Sequence, residues 1–319
     1  MEGARESQVL RAAQLYYYEN LTQGAIADRM GCTRWTVGRL LEEARKSGIV
    51  RITITHPQAR VRPLEKQLAA AFGIDTIIVM SSQESDAATG ALVAASAADY
   101  ITSLRPRPSS MGIAWGRTLT AIARAMPDRW TLSLDIYQMY GGLVRSNDDE
   151  VADSIGLMAR KGRGIGHTLP APAIVTDSEL GRRLRHEPSV ARSLAAGPRS
   201  DLLLFSPGIL EPNSVLVRSG YLTENGLKRL RSMGAVTDVF SHFVDINGEP
   251  VSAELEARTI AVPLDAIRAA KRCVAIGWGG AKALPLYASL RGRIAKGLII
   301  DEEAALVILA EHGKRSEDR

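Results

Sequence analysis

One stretch constrains this chain more than any other: Gln23-Gly-Ala-Ile-Ala27-Asp-Arg-Met-Gly31-Cys-Thr-Arg-Trp-Thr-Val37-Gly-Arg-Leu40. Two helices that cross steeply need a small residue where their backbones meet, and Ala27 supplies it. The turn between them needs a residue tolerant of positive φ, and Gly31 follows four places on. In the second helix, Val37, Leu40, Leu41 and Ala44 recur at helical spacing and form the buried stripe. Thr33 stands where an N-cap belongs. The opposite face carries Arg34, Trp35, Thr36 and Arg39, side chains suited to base edges and phosphates. With Gln23 and Thr33 they form the predicted DNA-contacting set. An ordinary helical hairpin would contain the same small and apolar residues, but not this polar, basic face on the second helix.

The chain has 319 residues, enough for more than one domain, and its 45% hydrophobic content suits large cores. Its formal net charge is +5, and the first 56 residues hold eight Lys/Arg against six Asp/Glu. Bulk charge therefore does not argue for DNA; the placement of the arginines does. Cys32 and Cys273 are the only cysteines and fall in different predicted domains, as expected in a reducing cytoplasm. No Cys/His spacing suggests a metal, so neither metal nor cofactor is expected. No apolar run approaches the ~20 residues of a membrane span, and the N-terminus lacks a signal-peptide core.

Residues 6–19 are predicted helical, with Val9, Leu10, Ala13 and Tyr17 inward and the run Tyr16–Tyr18 packing the helical core and its rim. Thr22 caps the next helix, and Gly48 closes the third. Residues 51–55 alternate as a short strand, a candidate wing, which His56-Pro57 stops. The expected winged helix-turn-helix thus spans 1–56. Residues 57–73 are predicted to form a linker helix closed by Gly73. From 74 to 312 the pattern becomes strands alternating with helices, the signature of a doubly wound α/β domain. Predicted strands cover 74–80, 109–114, 132–140, 201–206, 236–244, 273–277 and 297–300. Residues 162–197 are hardest to read, with short helices at most, and 313–319 are predicted to be a disordered tail.

Ligands of such sheets bind beyond the carboxyl ends of the strands. Three of those ends carry glycine: Gly112-Ile-Ala-Trp-Gly116-Arg117-Thr118, Gly141-Gly142, and Gly277-Trp-Gly279-Gly280-Ala-Lys282. Glycine lets an anion approach the backbone, and a helix N-terminus adds N–H donors and a positive dipole end. Lys282 in the first turn of its helix opposes that dipole, which points to a ligand. Many glycine turns serve geometry alone; Arg117 and Lys282 together raise these two above that. Asp245-Ile-Asn247-Gly248 is a turn by its Asn-Gly pair, with Asp245 a candidate acceptor for sugar hydroxyls. His167, His186 and His242 are expected on the surface or in loops, and Glu302 and Glu303 to favour the last helix's dipole.

Several motifs, in this order, resemble the SorC-type family of bacterial sugar-responsive transcriptional regulators over nearly the whole length. They are Leu21-Thr-Gln23 through Leu40-Leu41, Gly48-Ile-Val-Arg-Ile-Thr53, Gly116-Arg-Thr-Leu119, Leu169-Pro-Ala-Pro172, Ser219-Gly-Tyr-Leu222, Asp245-Ile-Asn-Gly248 and Gly279-Gly-Ala-Lys282. The resemblance implies a winged helix-turn-helix followed by an α/β effector domain related to the sugar-phosphate isomerase and deaminase folds. It implies a tetramer bound to operator DNA and released or retained by a small carbohydrate, more often as a repressor. It also implies that the Gly116–Thr118 turn and Lys282 meet a phosphate while Asp245 meets the sugar. Gly24 and Trp35 depart from the family pattern, and the strand before Gly141 lacks an arginine that some sugar-phosphate binders carry. A sugar, a polyol and a sugar phosphate all stay open as effectors. The rival class is a sugar-phosphate isomerase or deaminase with an appended DNA-binding domain, but no convincing acid–base set accompanies the glycine turns.

Overall fold

The structure, a computed structural model, describes residues 2–50, 60–142, 149–212, 214, 217, 220 and 222–317. They fall into two compact units, Met1–Pro57 and Gln58–Arg319. The predicted wing at 51–55 and its stop at His56-Pro57 lie outside the described residues.

The first unit contains α1 (Glu2–Tyr17), α2 (Gln23–Met30) and α3 (Arg34–Lys46). Thr22 accepts the Ala25 N–H at 3.3 Å, and Thr33 accepts the Thr36 N–H at 3.2 Å, so each of the last two helices starts on a threonine cap. Gly31 ends α2 at φ 62°, the left-handed conformation the turn demands. Ile26, Ala27, Val37 and Leu40 are buried where the helices meet. The inner face of α1 differs from expectation. Leu10 is 46% exposed, and Ala12 and Leu15 join Val9 and Ala13 inside. The core contacts a sector of α1 one residue round from the predicted stripe. Tyr17 packs on the core, whereas Tyr16 and Tyr18 are exposed, Tyr18 lying just past the helix end.

The second unit begins with α4 (Arg62–Phe72), the predicted linker helix. Its Leu64 and Leu68 are buried in the core of this unit. The nearly buried Glu65 accepts from Arg60 at 2.7 Å and from the Val79 N–H at 3.1 Å, tying α4 to β1 (Thr76–Met80). The helix is therefore part of the α/β unit. There follow α5 (Asp86–Ser103), β2 (Ser110–Ile113), α6 (Arg117–Ala125), β3 (Asp135–Gln138), α7 (Asp149–Lys161), β4 (Gly166–His167), α8 (Ser178–His186) and α9 (Pro188–Ala196). Next come β5 (Leu202–Phe205), β6 (Gly208–Ile209), α10 (Glu224–Ser232), β7 (Thr237–Val239), β8 (His242–Val244), α11 (Ala253–Arg258) and α12 (Leu264–Ala269). The chain closes with β9 (Cys273–Ile276), α13 (Gly280–Arg291), β10 (Gly297–Asp301) and α14 (Glu302–Glu317).

Seven strands form a parallel sheet in the order β1-β10-β9-β5-β2-β3-β4. β5, β9 and β10 are buried at every residue, as strands covered on both faces must be. From β2 the chain steps outward to β3 and β4; from β5 it steps the other way, to β9 and β10. The strand order therefore reverses between β2 and β5, and a crevice opens beyond their carboxyl ends. Right-handed crossovers running in opposite directions put α6 and α13 on opposite faces of the sheet. β6, β7 and β8 form a separate antiparallel sheet.

Three further expectations are corrected. The strand predicted over 236–244 is two strands, turned at Phe240 and Ser241, whose φ values are 49° and 72°. No Gly or Asn marks that turn, so the sequence read straight through it. The strand predicted from 132 shrinks to Asp135–Gln138, and Leu132 is 84% exposed. The tail predicted from 313 continues α14 as far as Glu317, with Arg315 bonded to Glu311 one turn back.

Candidate functional site

On the helix-turn-helix, Arg34, Trp35 and Arg39 are exposed together on α3, with Trp35 71% exposed. The Arg39 guanidinium lies 5.0 Å from the Trp35 ring centroid, one turn on, so the indole face orients the arginine. Thr33 and Thr36 share a hydroxyl–hydroxyl hydrogen bond of 2.9 Å, which makes both part of the cap. Gln23 opens α2 and lies against Gly38 of α3, only partly exposed.

The second candidate site lies in the crevice at the strand reversal. Helix starts in this unit differ in a telling way. α5, α8, α10 and α11 are capped by Ser85, Asp177, Thr223 and Ser252. α4 and α9 carry a proline in their first turn, and Pro263 precedes α12. α6 and α13 instead start on Gly116 and Gly279, with no side-chain cap. No side chain caps their first N–H groups, and both ends sit beyond central strands. Gly116 has φ 137° and Gly279 φ 77°, backbone conformations that L side chains rarely adopt.

The two predicted cations converge. Arg117, the first residue of α6, is exposed and, among the described residues, without an ion-pair partner. Lys282, in the first turn of α13, donates to the Pro207 carbonyl beyond β5. Its pKa is lowered to about 8: burial is the main cause, the Arg117 charge adds to it, and Asp238 works against it.

Asp238 is the acid the sequence reading missed. It stands on β7, and its pKa is raised to about 6 by burial, against the pull of Lys282, the Ser241 N–H and His242. Tyr140 is buried beside it, and burial and the Asp238 charge push its phenol well above the ordinary value. The Tyr140 ring lies 4.9 Å from Trp115 and 6.5 Å from Phe240, which in turn lies 4.9 Å from Phe205. These rings form an aromatic wall, buried except at Trp115 beside the Gly116 turn. A signal for Asp238 existed: an acid inside an apolar strand belongs to a site or to a partner.

Asp245 is placed elsewhere. Its carboxylate accepts the N–H groups of Asn247 and Glu249, both at 2.9 Å, within its own turn. Gly248 of that turn packs on Gly292, past the carboxyl end of α13. A helix of α13's length runs about 18 Å, so Asp245 sits at the far end from the Gly279–Lys282 turn. Gly141 and Gly142 are taken up by the backbone. Their N–H groups donate to Ile260 and Ala171, and a side chain at Gly141 would collide with Pro172. They shape the wall and offer no main-chain donors. Gly279 donates its N–H to Asp301 at 3.0 Å and Lys282 donates its own to the Gly279 carbonyl at 3.1 Å, which leaves Gly280 and Ala281 as the open amides of that turn. Of the predicted histidines, His242 is buried, not in a surface loop as expected; His167 stacks on Tyr137 and His186 is exposed.

A three-helix unit built as a helix-turn-helix and a doubly wound α/β unit with a crevice beyond its central strands define a class: ligand-responsive DNA-binding regulators. Comparison with known proteins agrees. Residues 56–310 match the family model described as "Putative sugar-binding domain", and the chain belongs to that family. It is 27% identical over 311 residues to the deoxyribonucleoside regulator of Bacillus subtilis (strain 168), covering 97% of this chain and 99% of that one. It is 26% identical to the erythritol catabolism regulatory protein EryD of Brucella abortus (strain 2308), covering 98% and 99%. The full-length sorbitol operon regulator SorC of Klebsiella pneumoniae has the same fold, with a TM-score of 0.75, 23% identity and coverage of 94% and 97%. Among the described residues, no helix is long and apolar enough to cross a membrane.

Proposed function

We propose that this protein is a repressor of a carbohydrate-catabolic operon, whose affinity for operator DNA is set by a small hydroxylated anion bound between α6 and α13. The observation that carries this reading is the pair of uncapped helix starts with Arg117 and Lys282 converging on them. A phosphate there would gain charge-assisted hydrogen bonds from both side chains and from main-chain N–H groups. Asp238 supplies an acceptor for hydroxyls, and the Trp115–Tyr140 wall an apolar face for a sugar ring. Gly116, Arg117, Thr118, Gly280 and Lys282 form the anion end. Thr118 contributes a hydroxyl from the first turn of α6.

On α3, Arg34, Trp35 and Arg39 read operator DNA, and Gln23, Thr33 and Thr36 support them. The protein acts by linkage: the effector shifts the population of DNA-competent states because it binds one of them better. No turnover is assigned to it, in keeping with relatives that are named as regulators. One helix-turn-helix covers a small footprint, so the protein works as a homo-oligomer, a tetramer by the family resemblance, on repeated half-sites in the cytoplasm.

The test has two stages. DNA ligands are first selected from a random pool with the full-length protein. Sugars, polyols and their phosphates are then screened by thermal shift, and hits are added to the DNA titration. A true effector raises the melting temperature with concentration and changes DNA affinity. A compound that is consumed catalytically at the same site would move the protein to the isomerase or deaminase class.

A further inference from the structure

Asp238 can face Lys282 only if the small antiparallel sheet that carries it is held in place. Its strands do not pair with the main sheet. The β7–β8 turn is made by two non-glycine residues, Phe240 and Ser241, both in the left-handed region, an arrangement that persists only where surroundings over-determine it.

Phe240 packs on Phe205 and Tyr140 from one side. His242, the first residue of β8, holds the other. It pairs with Val239 across the hairpin, whereas Asp238 pairs with Phe243, so His242 and Asp238 lie on opposite faces of the small sheet. The His242 side chain is buried. Its Nδ1 lies 2.7 Å from the Glu256 carboxylate on α11, and its Nε2 lies 2.9 Å from the Val262 carbonyl. Val262 in turn donates its N–H to Met139, at the carboxyl end of β3.

Both partners of the ring are acceptors. A carboxylate and a carbonyl carry no proton to give, so both ring nitrogens must donate, which only the doubly protonated ring can do. Burial opposes that charge. The bond and the charge of Glu256 outweigh it, helped by the Val262 carbonyl and by Asp238, and the imidazole is held charged above its ordinary range. Glu256 from α11 and Asp238 from β7 are the ionised groups that bear on it.

We propose that His242 is a positioning residue for the effector site: bonded through both ring nitrogens, it clamps the β7–β8 hairpin to α11 and to the Val262 segment beside β3, and so keeps the Asp238 carboxylate opposite Lys282. The proposal rests on the reading of the crevice as the effector site, but its test needs no effector.

The experiment uses the full-length protein and two readouts. The first is the side-chain ¹⁵N spectrum of the histidines, with the His242 signals assigned by their loss in His242→Gln. As the pH is raised, both nitrogens of His242 stay protonated to a higher pH than those of an ordinary imidazole. In Glu256→Gln the ring becomes neutral, because the glutamine amide can donate to Nδ1 while Nε2–H keeps Val262. A His242 that loses its second proton at or below the pH of an ordinary imidazole overturns the proposal.

The second readout is the rate at which acetic anhydride acylates Lys282, followed by mass spectrometry against pH. Asp238 raises the proton affinity of Lys282. Releasing the hairpin in His242→Gln therefore increases the neutral amine and speeds acylation at about pH 7.5 several-fold. Glu256→Gln keeps both hydrogen bonds and leaves the rate close to the parent's. Acylation of His242→Gln at the parent rate sinks the proposal. If His242→Gln does not fold, Glu256→Ala removes one side of the clamp and carries the same expectation. Failure of sulfate to bind while Lys282 acylation responds as expected would instead discard the effector-site reading and leave the clamp standing.

Discussion

The two units place function at opposite extremes of sequence separation. In the helical unit the residues assigned to DNA lie within one stretch, from Gln23 to Arg39, and their neighbours along the chain set their exposure. In the α/β unit the crevice takes Arg117 from the turn after β2, Tyr140 from the end of β3, Pro207 from beyond β5, Asp238 from β7 and Lys282 from the turn after β9. A helix periodicity exposes its own recognition face. A doubly wound sheet exposes nothing until its strand order is known. The lesson is that a local motif can be read as a site, whereas a turn in a sheet can be read only as a candidate.

The largest expected effect separates the units outright. Leu40 is almost fully buried in a small core, and Leu40→Ala should cost roughly 2–5 kcal/mol. Scanning calorimetry should show the helical unit melting early and DNA binding lost, with sulfate binding in the crevice retained. Loss of both would mean that the units do not fold independently.

Next come the arginines of α3. Arg34→Ala and Arg39→Ala should each weaken binding to selected DNA by roughly 1–3 kcal/mol where the arginine reads a guanine. Fluorescence anisotropy at fixed salt is the measurement, and parent-like binding by both variants would break the docking assignment. Trp35→Ala should cost less, by freeing Arg39 from the indole face 5.0 Å away.

In the crevice, Lys282→Ala should reduce sulfate affinity about tenfold, equivalent to about 1.4 kcal/mol, in line with loss of one charge-assisted contact. Asp238 and Asp245 give the sharper contrast. Asp238→Asn should weaken binding of whichever hydroxylated effector the screen finds, while Asp245→Asn loosens only its own turn and leaves effector affinity unchanged. The reverse result would return the site to the far end of α13.

The smallest effect is on pH dependence. Sulfate keeps its charge across the neutral range, so changes in its affinity report the protein. Affinity should fall as pH rises through about 6, where Asp238 ionises and repels the anion, and again through about 8, where Lys282 loses its proton. Calorimetry at a series of pH values reads both steps, and Asp238→Asn should abolish the lower one and move the upper one to lower pH. A profile flat from acid to alkaline pH would show that neither group faces the bound anion.

The sequence by itself determined the three helices of the first unit, their two threonine caps, the Gly31 turn and the exposed basic face, because each depends on residues within a few turns of one another. It also determined the α/β class and marked the Gly116 and Gly279 turns, since burial on both faces of a parallel sheet and glycine at strand ends leave local traces. Asp238, His242 and the aromatic wall were decided by the tertiary structure alone. The Phe240–Ser241 turn folds a run that reads as one strand back on itself, and crossovers of tens of residues bring β2, β5 and β9 side by side. The same holds for Gly141-Gly142 and Asp245: the residue types suited a ligand, but packing gave their N–H groups and carboxylate to the protein's own backbone. Chemistry at a position is written in the chain; which partner reaches that position first depends on contacts that only the folded topology creates.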